Sequence, residues 1–402
     1  IEAAYQGFRD RAGAGERNAF ALFTAQQPWL EDYCLYLALK EHHHGAPWID
    51  WPEPLRRRDP EVLAHWRAEL GQPIALQQFA QYQFFHQWTA LRQYAHSQGV
   101  RIVGDVPIFV AHDCADLWSH PQWFQLDEAG RMTAVAGVPP DYFSATGQRW
   151  GNPLYRWEVL ARDGYRFWVE RLRTVLSLVD WARLDHFRGF AANWEIPAAH
   201  QTAEHGRWVA GPGLDLFEAL RRELDGLPLI AEDLGLITWD VEALRKALEL
   251  PGMAVLQFAF GADIDGTGQG PRIRGDSPYL PHNHARNTVV YTGTHDNDTT
   301  LGWWDSAPAL ERELALDYLD AWDRPINWAM IRAALASRAD WALIPLQDVL
   351  DLGCEGRLNT PGQGWGNWNW RYQTEQLTQE RAQRLGHLAG LYGRRAAPRM
   401  PL

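Results

Sequence analysis

Cysteine is scarce in this chain: three in 402 residues, Cys34, Cys114 and Cys354, far apart and in no CxxC pair. That spacing excludes a disulfide scaffold and a zinc knuckle, and it suits a reducing compartment. Long apolar runs are missing as well. None approaches the roughly 18 residues of a membrane helix, and Ile1-Glu-Ala-Ala-Tyr carries no signal-peptide pattern, so the sequence predicts a cytoplasmic protein with no membrane partner. Basic residues are outnumbered, 38 against 50 acidic, for a net charge of -12. A nucleic-acid partner needs a basic footprint, and this chain lacks one. Neither G-x-G-x-x-G nor G-x-x-x-x-G-K-[ST] follows any predicted strand, which speaks against dinucleotides and nucleotides. An initiating Met is absent too, and the start reads as mid-helix, so the expectation is that residues ahead of Ile1 have been lost.

What the chain has in excess is tryptophan, 22 against 13 Tyr and 15 Phe. Most of these rings are expected to fill the core. A remainder suits ligands such as sugars, which present flat apolar faces between polar edges to a large aromatic with one donor.

From Ile1 to Gln98 the pattern is helical, and from residue 73 onward Phe84, Trp88, Leu91 and Ala95 mark one apolar face. His42-His43-His44 closes a helix, where the dipole favours cations, and is read that way rather than as a metal cluster. Val100 to Phe109, carrying Asp105 and broken at Pro107, reads as a buried parallel strand. Residues 110–152 show no period, and so long a stretch in a compact protein is expected to be a functional loop, an active-site lid being the common case. Helices and strands then alternate, with strands near 181, 228, 253, 288 and 342, and such alternation predicts an α/β fold with a parallel sheet covered by helices. The six strands are two short of a (β/α)8 TIM barrel. With no nucleotide-binding turn to support an open sheet, the barrel is preferred, its first two strands being absent from this chain. Residues 1–98 form the mainly helical region and 99–402 carry the barrel strands and helices, with the lid loop at 110–152.

Four strands finish on acidic residues: Asp105, Asp185, the pair Glu232-Asp233, and Asp296. Parallel barrel strands bring their C-terminal ends to one face, so distant carboxylates meet there. Asp185 lies in Arg183-Leu-Asp-His-Phe-Arg-Gly-Phe190, where Arg and Asp two apart form either a plain ion pair or part of a site. Carboxylates crowded with Arg183, His186 and His295 are expected to differ in protonation, which suits glycoside chemistry: one carboxylate attacks the anomeric carbon while another protonates the departing oxygen. Two competitors stand beside this. His295-Asp296-Asn297-Asp298 could ligate a divalent cation, although Arg183 and Arg188 oppose one, and a noncatalytic sugar-binding barrel would display similar residues.

The strings GVPPDYFSATGQRWGNP, RLDHFRGF, IAEDLG, YTGTHDNDT and NTPGQGWGNWNWR, in this order along the chain, resemble the 4-α-glucanotransferases called amylomaltases or disproportionating enzymes, glycoside hydrolase family 77. The resemblance runs from the helical region through Arg371. It implies a (β/α)8 barrel with inserted helical subdomains, no cofactor and no metal, and maltooligosaccharides and other α-1,4-glucans as partners. It further implies Asp185 as nucleophile, Glu232 as general acid/base, and Asp296 as the residue that holds sugar hydroxyls and stabilises the transition state. Arg183 and His295 would bind around the reacting ring, with Asp105 also in contact with substrate. Trp150 resembles a residue beside the acceptor, Asp141 to Ser144 resemble a mobile lid, and Asn359 and Pro361 match a motif near the donor. The implied reaction is retaining transfer of glucan segments, with amylase-like hydrolysis or an inactive truncated sugar-binding barrel as alternatives.

Overall fold

All six runs expected to be parallel strands form them, and the helices between them make the fold α/β. The computed structural model describes residues 1–140, 144–235, 237–263 and 272–395. It divides into two units, Ile1–Glu232 with Ile237–Leu248, and Asp233–Leu236 with Glu249–Leu402.

The first unit opens with six helices: α1 (Glu2–Arg11), α2 (Ala14–Gln26), α3 (Leu30–His42), α4 (Glu53–Arg56), α5 (Pro60–Glu69) and α6 (Gly71–Ser97). Their ends follow local chemistry. Asp59 caps α5 by accepting the N–H groups of Glu61 and Val62, with Pro60 at the first position, where its missing N–H costs nothing. The apolar face predicted on α6 is only partly used. Trp88 donates its indole N–H to Leu178 O at 2.7 Å, whereas Phe84 and Leu91 remain exposed. The buried side of α6 is Phe79, which packs with Tyr5, Phe8 and Phe20. His42-His43-His44 ends α3 as expected, with His43 stacked on Trp51.

Next come β1 (Val103–Pro107), α7 (Ala115–Ser119), β2 (Ala134–Val138), β3 (Gln148–Pro153), α8 (Trp157–Arg162), α9 (Arg166–Leu178), β4 (Trp181–Asp185), β5 (Ala192–Pro197), β6 (Arg207–Ala210), α10 (Gly213–Glu223), β7 (Leu229–Ala231) and α11 (Trp239–Ala247). Strands β1, β4 and β7 form a parallel sheet with β4 in the middle. A second sheet, in the order β3-β2-β5-β6, is antiparallel. It corrects the expectation that 110–152 is irregular throughout, since β2 and β3 both lie there. Their pairing is interrupted by a register shift between Val135 and Gly137, and that break obscures the alternation by which a strand is recognised.

The second unit holds β8 (Gly252–Val255), β9 (Ala262–Asp263), β10 (Arg272–Ile273), β11 (Thr288–Tyr291), α12 (Thr300–Ser306), α13 (Ala309–Leu319), α14 (Ile326–Ala336), β12 (Trp341–Leu343), α15 (Leu346–Val349) and α16 (Gln379–Leu391). Strands β12, β11 and β8 make a parallel sheet with β11 central. Its core gathers Leu256, Phe260, Val290, Met330 and Ala334, all fully buried, and α14 is buried over most of its length. Among the described residues no helix is long and apolar enough to cross a membrane.

Candidate active site

Strand register decides which side chains of the first unit can meet. It pairs Asp105 with Arg183 and Pro107 with Asp185 between β1 and β4, and Leu184 with Ala231 between β4 and β7. Paired residues on neighbouring parallel strands share a face, and residues two apart on one strand do likewise. Asp105, Arg183 and Asp185 therefore stand on one face of the sheet. One step beyond the Leu184–Ala231 pair, Glu232 comes level with Asp185, its N–H donating to Leu184 O at 3.1 Å.

Arg183, only 7 % exposed, spans two of these carboxylates. Its Nη1 donates to Asp105 Oδ2 at 2.5 Å and its Nη2 to Asp185 Oδ1 at 2.7 Å. The ion pair weighed in the sequence thus exists, with its Asp185 carboxylate 42 % exposed and open to other contacts. A planar fork is what bridges two acids at once, and a lysine could not reproduce it.

The chain leaves β4 through His186, which is left-handed at φ 50 and ψ 50. That conformation is uncommon for a residue with a Cβ and clusters at functional sites. Here it turns two consecutive N–H groups toward one residue. His186 N–H donates to Glu232 Oε2 at 2.8 Å and Phe187 N–H to Glu232 O at 3.1 Å. The His186 ring packs edge-on to Trp150, centroids 4.6 Å apart, with Phe109 nearby. Burial, then the charge of Arg188, pushes its pKa down to about 3, so the ring is neutral. Gly189 makes room for this arrangement, since a Cβ there would come 2.7 Å from Ile108 Cδ1 and 3.1 Å from the His186 ring. Arg188, also buried, lies over the Trp208 ring at 4.0 Å and reaches Thr238 Oγ1 at 3.4 Å.

Trp150 occupies the register shift of the β2–β3 pair. Val135 pairs with Pro153 but Gly137 with Arg149, so β3 carries additional residues there, among them Gly151 at φ +80. A bulge re-aims a side chain, and this indole is 38 % exposed with its back to His186. Ser144 closes a turn, its Oγ donating to Gly147 O at 2.7 Å. Gly147 needs its positive φ of 67, and a Cβ there would lie 2.4 Å from Val138 O. Asp141, the other lid residue singled out, lies outside the described residues.

In the second unit the carboxylate sits on a loop. Asp296 Oδ1 accepts a hydrogen bond from Asn359 Nδ2 at 2.6 Å, and its backbone O accepts one from Arg357 Nη2 at 2.9 Å. His295 Nε2 lies 3.3 Å from Asp296 Oδ2. The loop also binds itself, Asn297 Oδ1 accepting both the N–H and the hydroxyl of Thr294 at 2.9 and 2.8 Å. Asn297 is therefore engaged within the loop. Asp298 accepts Thr299 N–H at 2.8 Å and lies 3.8 Å from Arg357. Among the described residues no group of three or more His, Cys, Asp or Glu is placed to hold a metal ion. A cavity of about 220 Å³ is lined by Thr294, His295, Asn297, Asp298, Gln347 and Arg357.

Asn359 thus reaches Asp296 directly, while Pro361 is exposed in the turn that follows. That segment folds back on itself, Trp368 N–H donating to Leu358 O at 2.8 Å. Trp368 is left-handed at φ 62, its ring 5.3 Å from that of His295. Sequence reasoning did not single out Arg357, although it stands two residues before Asn359.

The family model described as 4-alpha-glucanotransferase matches residues 1–378. The chain is 49 % identical over 399 residues to the 4-alpha-glucanotransferase of Thermus thermophilus, covering 97 % of this chain and 77 % of the relative. It is 45 % identical over 400 residues to that of Synechocystis sp., covering 98 % and 77 %. Among solved structures it superposes on the amylomaltase from Streptococcus agalactiae in complex with acarbose with a TM-score of 0.91 at 34 % identity, covering 98 % of this chain and 78 % of that one. The parallel strands, alternating helices and helical insertions described above are those of the (β/α)8 barrel class with helical subdomains.

Proposed function

The chain belongs to the 4-alpha-glucanotransferases of glycoside hydrolase family 77, and we propose that Asp185, Glu232 and Asp296 carry its reaction. The activity is transfer of α-1,4-glucan segments between maltooligosaccharides. The observation that supports these roles best is the paired strand ends of β4 and β7, which set Asp185 and Glu232 level on one face with Arg183 bound to the first and the His186 N–H to the second.

Asp185 attacks the anomeric carbon and forms a glycosyl ester, while the carboxyl of Glu232 gives its proton to the departing 4-oxygen. The same Glu232, now ionised, takes the proton from an incoming sugar 4-hydroxyl as that oxygen displaces Asp185, and the configuration is retained. Arg183 holds the nucleophile by a charge-assisted hydrogen bond and ties it to Asp105. Asp296, oriented by Asn359, binds hydroxyls of the reacting sugar, and His295 contacts the same ring. Trp150 stacks the acceptor, with Ser144 in the segment that covers it and Pro361 on the donor side. Transfer prevails over hydrolysis when the acceptor sugar displaces water from the ester. The three cysteines are free, which suits a cytoplasmic location.

Incubation with maltotriose is expected to yield glucose and a ladder of longer maltooligosaccharides, read by chromatography. A steady rise in reducing ends with no ladder would replace the transferase with a hydrolase. Asp185→Asn is expected to abolish turnover while leaving maltooligosaccharide binding measurable by calorimetry. Binding without turnover in the unmodified chain would leave only a sugar-binding module.

A further inference from the structure

We propose that Asp348 is a positioning residue for Asp296, clamping both ends of the loop that carries it. The inference rests on the role given to Asp296 above. The loop runs from Thr292, just after β11, to Thr300, the first residue of α12, and both threonines are fully buried. Asp348, on α15, is 1 % exposed. Its Oδ2 accepts the Thr292 hydroxyl at 2.5 Å and the Thr300 hydroxyl at 2.8 Å, and its Oδ1 accepts Thr300 N–H at 2.7 Å. One carboxylate therefore fastens the entrance and the exit of the loop to the same point.

Burying a carboxylate is costly unless every oxygen is satisfied, and burial here raises the Asp348 pKa while the two threonines oppose that shift. A cap for α12 does not account for the expense. Thr299 already caps that helix, its Oγ1 accepting Gly302 N–H at 3.0 Å. What Asp348 adds is the connection to Thr292. Its own backbone is anchored in turn: Asn327 on buried α14 donates Nδ2 to Asp348 O at 2.8 Å and to Asp351 Oδ1 at 2.7 Å. The chain of contacts runs from the core of the unit, through Asp348, to both feet of the loop. Asp296 hangs from its middle. Since oriented groups lose their effect when displaced by as little as an ångström, a clamp of this kind acts on turnover without touching the sugar.

Three variants test it: Asp348→Ala, Asp348→Asn, which keeps an acceptor for Thr300 N–H while the threonine hydroxyls can rotate to meet its amide, and Thr292→Val, which removes one donor at nearly constant volume. Disproportionation kinetics are read with hydrogen exchange of residues 292–300. Asp348→Ala is expected to lower kcat about 100-fold with KM changed little, as for a contact expressed in the transition state. Exchange should quicken in 292–300 and not in α14. Asp348→Asn should restore most of the loss, and Thr292→Val, which carries the test if Asp348→Ala does not fold, should cost roughly tenfold. The deciding readout is a cycle with Asp296→Ala: once Asp296 is gone, altering Asp348 or Thr292 should reduce the residual turnover no further. Full additivity, or unchanged exchange in 292–300, overturns the clamp. An unmodified chain without turnover overturns the role of Asp296 instead, and the inference with it.

Discussion

The two carboxylate-bearing regions are fixed in place by different means. Around Asp185 and Glu232 the backbone is a parallel sheet: register puts Asp105, Arg183 and Asp185 on one face, and Glu232 follows one residue after β7, its N–H bonded to Leu184 O. Around Asp296 there is no ladder, and position depends on side chains: Asn359 and Arg357 from one segment, Asn297 within the loop, and Asp348 beneath it. A site set by register is hard to disturb except by removing its charges. A site set by side-chain hydrogen bonds yields gradually, one contact at a time.

Breaking the first region is expected to give the larger effect. Arg183→Met removes the fork that joins Asp105 and Asp185, and kcat should fall by about 1000-fold, the order expected when an oriented charged group at the reacting centre is lost. Lysine at 183 should recover little, because a point charge cannot bridge both acids. Recovery by lysine to near the original rate would show that charge alone, and not geometry, matters there. In the second region Asn359→Ala removes one hydrogen bond to a charged acceptor, worth about 1.5–3 kcal/mol, and should reduce kcat roughly tenfold or somewhat more. A loss as large as that of Arg183→Met would erase the distinction between the two regions.

A third effect concerns stability against pH. The His186 pKa is pushed down to about 3 by burial and by Arg188, whereas in the unfolded chain it is near the ordinary value of about 6.5. The unfolded state takes up the proton first as pH falls. The stability contributed by the neutral ring is thus complete above about pH 6.5 and declines through the window down to about 3, with a slope of at most about 1.4 kcal/mol per pH unit. His43, His120 and His284, lowered by burial too, act in the same direction. Urea titrations across this window should show a shallower decline for His186→Asn, which tolerates the left-handed backbone. Identical slopes for both proteins would mean that the His186 ring is protonated in the folded state.

Much of this arrangement was legible in the sequence where chemistry and periodicity coincide. Apolar runs named all six parallel strands, and acids following four of them named the carboxylates, because a strand's apolar run and the charge after it are local properties. Asp348 was not legible. It lies in an unremarked helix far along the chain from Thr292, and its significance arises only when α15 is folded beneath the loop. The left-handed turn at His186 was likewise hidden, as the motif shows a histidine but not the φ that aims its N–H at Glu232. On α6 the spacing of Phe84 and Leu91 predicted a buried face, yet both are exposed and the buried side chain is Phe79, because periodicity cannot say which side of a helix is covered. Strands β2 and β3 escaped notice because the register shift at Trp150 breaks the alternation that betrays a strand.

That shift has a consequence for how such enzymes diverge. In an unbroken strand a side chain's direction is dictated by the pleat, and one inserted residue would reverse every position after it. The bulge absorbs the extra length locally, with Gly151 at positive φ taking up the turn and Asn152 Nδ2 bonded to Val110 O at 3.0 Å. The aromatic at position 150 can be lengthened, shortened or re-aimed by changes confined to a few residues, while the hydrogen-bonded pairs on either side keep their partners. Selection thereby gains a part of the molecule in which the ring at position 150 can drift independently of the fold.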